Sequence, residues 1–472
     1  MCKALRLITA LFITIFAGCA LGPDYQRPEQ DLPESYRQSD DRQRQDAEKV
    51  SFAVRNWHEI YQDEQLQWLI ETGLANNLDL AVARSRVREA RYYLAVSRSA
   101  LFPQLDLAAG AEREGKSGFT SSSTGPENTL ALEGLLSWEI DLWGQNRRSM
   151  EAAEAQWTAT ENSRQAMSVS LIGEIAAAYF ELLNIDNRLK ISERTVVSRE
   201  ESVRIAGLRK EGGVISKLEV QQAEVELASA KITLPFLHKN RVIKENHLSI
   251  LIGRAPGDIE RRVGISEQPL PPEVPLGLPA SLLQRRPDVR QAEQTLIAAN
   301  AAIGIAKADF FPKLTLTGAY GRESNELSDL LKSAGKTWII GLDAIMPLFN
   351  AGKNRAQLAI AREQYEQASL NYRKIVLQSL QEVSDALESY SRSKEELEAH
   401  LDLVKSSQEY LRLATLRYYN GVLSYLDLLD AQRQLFNGEL SLSESKRDRL
   451  VALVQLYKAL GGGWQASEDS QG

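Results

Sequence analysis

Cysteine is almost missing from this chain: Cys2 and Cys19 are the two in 472 residues, so nothing beyond Cys19 can be stapled by an intrachain disulfide. Histidine is equally sparse. His58, His238, His247 and His400 stand apart from one another, and no CxxC, HExxH or phosphate-loop pattern occurs. No nucleophile, base and orienting group come together either, so the expectation is no enzyme, no catalytic residue, no metal and no cofactor. Aromatic residues make up 7% and charged residues 25%, a balance that suits long helices better than a thick globular core. After the first 20 residues no uncharged apolar run approaches the ~18 residues of a transmembrane helix, so a membrane-spanning reading must use strands. The formal charge of −7 argues against nucleic acid or an anionic lipid surface as partner. Helix breakers are missing from two long stretches: 147–211 has no proline and only Gly173 and Gly207, and 353–420 has neither proline nor glycine. At ~1.5 Å per residue, such a helix is on the order of 100 Å long, and a globular domain has no use for that length.

The N-terminus carries a basic start (Lys3, Arg6), an apolar run over 7–16 and small residues ending at Phe16-Ala17-Gly18-Cys19. This is a bacterial secretory signal. Its end resembles a lipobox, which implies an acylated, palmitate-bearing Cys19 as the first mature residue, although Phe16 replaces the usual leucine. Loss of Lys3 and Arg6 takes the charge from −7 to −9.

The rest of the chain is written twice. Phe102-Pro103 returns as Phe311-Pro312, Asp79 as Asp288, Gly213 as Gly421, Ser216 as Ser424 and Gly253 as Gly461. A period this long exceeds any solenoid unit and indicates a duplicated module. The expected organisation is a signal peptide at 1–18, a lipidated extended segment at 19–54, a first repeat at 55–254, a Pro-rich connector at 255–276, a second repeat at 277–464 and a tail at 465–472. Each repeat is read as helices, a β-hairpin (about 103–142 and 312–348) and a long helical hairpin with its turn at 212–216 or 420–424.

Alternation of period two places the strands. Leu105, Leu107 and Ala109 alternate with other residues, as do Leu130, Leu132, Gly134, Leu136, Trp138 and Ile140, with Glu133, Ser137 and Glu139 on the opposite face. Leu314, Leu316, Gly318 and Tyr320, then Trp338, Ile340, Leu342, Ala344 and Met346, repeat the pattern. Such strands fit a transmembrane β-barrel wall, or two soluble hairpins that each cover a small core. In hydrocarbon, a four-stranded sheet would leave two edges of unpaired backbone groups, so a barrel requires several copies of the chain. The stretches 117–128 and 323–333 are then external loops.

In the second long run Leu380, Val383, Leu387, Tyr390, Lys394, Leu397, Leu401, Val404, Gln408, Leu411, Thr415 and Tyr418 form a heptad seam, with Lys394, Gln408 and Thr415 as polar interruptions. Beyond each turn, Ser216-Lys217-Leu218-Glu219 and Ser424-Tyr425-Leu426-Asp427 read as capping boxes. Asp430 has no capping role and shares a helix face with Asp427, so either an external group compensates these charges or the face is wet.

Residues 418–433, with Tyr418, Asn420-Gly421, Asp427, Asp430 and Arg433, are similar to the second turn of TolC-like outer-membrane factors. Gly22-Pro23-Asp24-Tyr25, Arg285-Arg286-Pro287-Asp288 and the terminal Leu460-Gly461-Gly462-Gly463-Trp464 resemble the lipidated branch of that family, the outer-membrane lipoproteins of RND efflux systems. The resemblance implies an α+β membrane protein: a homotrimer whose twelve strands form an outer-membrane barrel, continued by a periplasmic α-helical barrel. It implies a passive exit duct for small toxic compounds, with outer-membrane lipid, a periplasmic adaptor protein and an inner-membrane RND-type pump as partners. Asp427 and Asp430 would line the periplasmic gate as a ring of acids that selects or holds cations, with Tyr418 and Glu219 as gate-bonding groups. Leu423 occupies the position of the usual gate arginine, and Arg433 or Lys217 could substitute for it. The alternatives are a duct for type I protein secretion and a lipid-anchored coiled-coil tether.

Overall fold

The computed structural model describes residues 20–29, 32–33, 56–115, 126–269 and 285–462. Cys19, residues 117–125 of the 117–128 loop and residues 270–276 of the Pro-rich connector lie outside them. The elements are α1 (Trp57–Ile60), α2 (Glu64–Asn76), α3 (Leu78–Ser99), β1 (Gln104–Glu114), β2 (Glu127–Ile140), α4 (Gln145–Glu211), α5 (Lys217–Leu251), α6 (Pro287–Ala308), β3 (Lys313–Ser324), β4 (Lys336–Ile345), α7 (Lys353–Tyr419) and α8 (Tyr425–Ala459). The duplication is visible in the lengths, since α4 and α7 both have 67 residues and α5 and α8 both have 35.

The recurring glycines have one physical cause. Gly144 and Gly352, Gly213 and Gly421, and Gly253 and Gly461 all sit at positive φ, between 71° and 85°. At four helix ends the residue after such a glycine donates back five positions: Val214 N–H to Arg209 O at 2.9 Å, Arg254 to Ser249 at 2.8 Å, Val422 to Arg417 at 2.9 Å and Gly462 to Tyr457 at 3.0 Å. This is the Schellman closure, which satisfies a terminal carbonyl and needs a residue tolerant of the left-handed region.

The chain forms two compact units that cut across the repeats, each taking matching segments from both copies. One contains the N-terminal segment, Ser85–Glu161 and Gln291–Lys374. Its centre is one antiparallel sheet in the order β1-β2-β3-β4, so the second hairpin is laid onto the first through β2 and β3. Register aligns the apolar positions across all four strands: Leu105 with Leu136, Gly318 and Ile340, and Leu107 with Gly134, Tyr320 and Trp338. The opposite face carries Glu139, Thr315 and Asp343, but also Leu135 and Ile339, so it is polar only in part. Leu105, Leu107, Trp338, Ile340 and Leu342 are exposed, so the apolar face covers no core within the described chain. The soluble-hairpin alternative fails on that point.

In the same unit, residues 20–29 run as an extended strap. Leu21 N–H donates to Trp143 O at 3.0 Å, and the buried Asn300 donates to Pro23 O at 2.8 Å. Arg27 holds the buried Glu293 through two bonds of 2.6 and 2.8 Å, with the Tyr25 hydroxyl at 3.1 Å. Burial pushes the Tyr25 pKa up, and the Glu293 charge adds to it.

The other unit contains the segment up to Arg84, Asn162–Arg290 and Ile375–Gly472. Its core packs Leu66, Leu69 and Ile70 of α2 against Ile172, Ile175, Tyr179 and Leu182 of α4, with Leu248, Leu453 and Leu456 around them. α4 holds a stretch apolar enough to cross a membrane by composition, and 61% of it is buried inside the protein. Asp63 caps α2 through the amides of Gln65 and Leu66 and accepts from Tyr179 at 2.9 Å and Gln268 at 2.6 Å, tying the connector to the core.

The heptad seam of α7 departs from the sequence reading in part. Val383, Leu387, Val404 and Tyr418 are buried as expected, but the other buried positions along the seam are Val376, Ser379, Ala386, Ser393, Ser407 and Ala414. Lys394, Leu401 and Gln408 are exposed beside the seam. Small side chains let two long helices approach closely, so packing selects the smaller neighbour where hydrophobicity alone selects the larger. Ser379 and Ser393 satisfy their hydroxyls on the Val376 and Tyr390 carbonyls, at 2.7 and 2.8 Å.

Candidate functional site

The two helical turns converge on one small apolar cluster. Ala206 of α4, Ala223 of α5, Ala414 and Tyr418 of α7, and Tyr425, Leu428, Leu429 and Ala431 of α8 are buried together. Val203, Ile215, Val220, Leu411 and Leu423 pack against them, so Leu423 fills apolar space and offers no charge. The Tyr418 and Tyr425 rings lie 5.4 Å apart, and the Arg209 guanidinium sits 4.8 Å over the Tyr418 ring, a cation–π contact.

The acids predicted for the site have distinct environments. Ser424 caps α8, accepting from the Asp427 amide at 3.3 Å and donating to the Asp427 carboxylate at 2.6 Å. The matching box at Ser216 is not made, because Ser216 forms no side-chain cap bond and Glu219 is not its partner. Glu219 is close enough to Tyr418 and Tyr425 to disfavour ionisation of both hydroxyls. Burial is the larger cause, and it pushes Tyr425 up to about 12.

Asp430 departs from the expectation of an external counter-charge. It accepts from Arg433 at 3.3 Å and from Gln434 at 3.2 Å on its own helix. Asp427 is exposed and has no cation partner among the described residues, so the pair carries less uncompensated charge than its spacing suggested. Lys217 is likewise exposed and makes no ion pair among the described residues.

One charged cluster was missed from the sequence. Arg199 of α4 is buried and pairs with Glu226 of α5 at 3.2 Å, while Arg433 of α8 approaches the same carboxylate at 3.8 Å. Burial pulls the Arg199 pKa down, Glu226 opposes that and Arg433 adds to it. Glu226 therefore ties the first helical hairpin to the second. The signal available was an arginine at a seam position of α4, where Ile185, Leu189, Ser192, Val196 and Ala206 otherwise repeat in threes and fours. Outside the cluster, Val214 and Leu218 on one turn and Val422 and Leu426 on the other are exposed at matching positions.

A four-stranded sheet with an uncovered apolar face, doubled helical hairpins and paired turns define one architecture. The family model for outer membrane efflux proteins matches twice, over residues 69–254 and 278–462. The chain belongs to the outer membrane efflux protein family. It is 35% identical over 471 residues to the toluene efflux pump outer membrane protein TtgC of Pseudomonas putida, covering 97% of this chain and 96% of that one. Among solved structures, the outer-membrane channel OprN superposes with a TM-score of 0.87 at 29% identity, over 94% of this chain and 100% of that one. The open state of the Neisseria gonorrhoeae outer membrane channel MtrE superposes with a TM-score of 0.86 at 30% identity, over 94% and 98%. This efflux protein is an outer-membrane channel of the TolC-like kind, with an α+β fold, and it acts at the bacterial outer membrane.

Proposed function

We propose that three copies of this efflux protein close a twelve-stranded barrel and serve as the passive exit duct of a tripartite system, a conduit and not a catalyst. The observation that carries this reading is the state of the sheet edges: among the described residues, β1 pairs with β2 alone and β4 with β3 alone. In hydrocarbon, each unpaired backbone group costs several kcal/mol, so both edges must meet another copy. The number three rests on the family resemblance.

The partners are a periplasmic adaptor and an inner-membrane RND-type pump that supplies the energy. The exposed Val214, Leu218, Val422 and Leu426 suit an apolar contact with the adaptor. Acylation of Cys19 fits the strap, since Leu21 is hydrogen-bonded to Trp143 directly after β2 and would hold the lipid near the strand ends. Mass spectrometry of the mature N-terminus decides this, and an unmodified Cys19 would refute it. Apolar organic compounds, as in the toluene-exporting relative, are the cargo class.

At the turns, Asp427 from each copy supplies the exposed part of a carboxylate ring. Asp430, held by Arg433, supplies the neutralised part, while Tyr418 and Glu219 support the gate and Lys217 is free to reach a neighbouring copy. Such a ring holds an inhibitory multivalent cation. Purified protein in planar bilayers should give discrete, stable conductance that a trivalent cation blocks from one side only. A trimer that inserts without conducting would overturn the duct.

A further inference from the structure

The sheet contains a template for the contact between copies. Because the chain is a repeat, the β2–β3 pairing inside one chain and the β4–β1 pairing between neighbours join equivalent surfaces. Phe102-Pro103 and Phe311-Pro312 set β1 against β3 at 209 positions. Leu105 faces Leu136 in the first hairpin and Leu314 faces Ala344 in the second, which sets β2 against β4 at 208 positions. Inside the chain Ile140 faces Leu314, Trp138 faces Leu316 and Leu136 faces Gly318. Carrying these pairs over by the same shifts fixes the register between copies.

We propose that β4 of one copy continues past Ile345 and pairs with β1 of the next, with Leu348 opposite Leu105, Met346 opposite Leu107, Ala344 opposite Ala109 and Leu342 opposite Ala111. This rests on the multi-copy barrel and adds its register. Exposure supports it independently. Leu314 and Leu316, which face β2, are partly buried, whereas their equivalents Leu105 and Leu107 are 73% and 79% exposed. Leu348 is 91% exposed, while its equivalent Ile140 is partly covered by β3. The same holds for the aromatic pair beside the strands. Trp143 packs on Phe311 at 4.7 Å and donates to Pro312 O at 2.8 Å. The equivalent of Trp143 is Ala351, which leaves Phe102 exposed, and Phe349, 90% exposed, is the aromatic residue adjoining Leu348 that can cover it in the next copy.

The absence of cysteine after Cys19 makes disulfide trapping a clean test. Opposed residues on antiparallel strands have Cα atoms about 4.5 or 5.5 Å apart, within the span a disulfide accepts. The double variant Ala109→Cys with Ala344→Cys, oxidised in air with a copper catalyst, should give reducible dimers and trimers on denaturing gels. The equivalent pair inside one chain, Leu136→Cys with Gly318→Cys, should close without raising the apparent mass. Pairs displaced by four residues, Arg113→Cys or Leu105→Cys with Ala344→Cys, should link at least about tenfold less, because such strand positions lie beyond disulfide reach. Preferential linking through a displaced pair, or none through Ala109→Cys with Ala344→Cys in a protein that is trimeric by mass in detergent, overturns the register and leaves the assembly standing. A protein that is monomeric by mass overturns both.

Discussion

Arg286, from the Arg285-Arg286-Pro287-Asp288 motif, offers the sharpest test of how the helical unit holds together. Its side chain is buried; Nη1 donates to Ala459 O at 3.0 Å, Nε and Nη2 donate to Asp288 at 3.0 and 2.6 Å, and Nη2 also donates to Glu382 at 2.6 Å. One guanidinium thus joins the start of α6, the middle of α7 and the last turn of α8. Burial alone would pull its pKa down, but Asp288 and Glu382 outweigh burial and the net direction is upward, so it stays charged at any physiological pH. Arg286→Met keeps most of the stem volume and removes every hydrogen bond. The Asp288 and Glu382 carboxylates are 38% and 58% exposed and regain water, so losing those pairs costs about 0–1 kcal/mol each. The carbonyl of the buried Ala459 has no such recourse, and a charge-assisted bond to it is worth about 1.5–3 kcal/mol. The sum, roughly 1.5–5 kcal/mol, falls locally on the Schellman closure at Gly461, where an added Cβ would lie 3.2 Å from the Arg286 Cγ. Hydrogen exchange of the 456–462 amides in detergent should accelerate about tenfold to a few thousand-fold, since ~1.4 kcal/mol is tenfold. Arg286→Lys should recover one of the contacts and fall between the two. Unchanged exchange in Arg286→Met, or wild-type exchange in Arg286→Lys, would refute the guanidinium as the tie.

At the turns, Asp427→Asn should remove more of the trivalent-cation block than Asp430→Asn, because Asp430 is already paired with Arg433; equal loss in single-channel recordings would mean that pairing does not persist in the assembled gate. Asp430→Asn should cost no more than about 0.5 kcal/mol of stability, as for other exposed intrahelical pairs. The Tyr425 pKa is raised from 10.0 to about 12, so the stability of its neutral form is complete below pH 10 and is lost as pH rises through about 12. Tyr425→Phe removes that ionisation together with a buried hydroxyl that has no partner, so alkaline unfolding should move to higher pH while neutral-pH stability changes by less than about 1 kcal/mol. Among glycines, a Cβ at Gly253 would lie 2.3 Å from the Asn76 carbonyl oxygen, whereas one at Gly207, inside α4, meets nothing within 4 Å. Gly253→Ala should therefore lower the melting temperature and Gly207→Ala raise it, the latter through about 1 kcal/mol of helix propensity; the reverse order would contradict the packing at Asn76.

Features that depend on a few neighbouring residues were legible in the sequence. The positive-φ glycines, the period-two strands, the two long helices and the Ser424 cap all follow from backbone sterics or from hydrogen bonds that close within about one helical turn. Duplication added a long-range rule without any structure, because whatever Gly213 or Phe102 does must be done again near 421 or 311. Features that depend on distance between segments were not legible. The seam of α7 moved to Ser393 and Ser407 because the spacing between helices selects small side chains, and that spacing is set by residues on other helices. Ser216 and Ser424 have the same local pattern, yet only Ser424 closes its cap. Arg199, Glu226 and Arg433 came together only once both helical hairpins were packed, because the nearest pair of them in sequence is 27 residues apart. Strand order had the same character. Alternation named four strands and their apolar faces, but the placement of β3 beside β2, and hence which two edges are left for another copy, is set by backbone hydrogen bonds between segments nearly 200 residues apart, about which side-chain alternation carries no information.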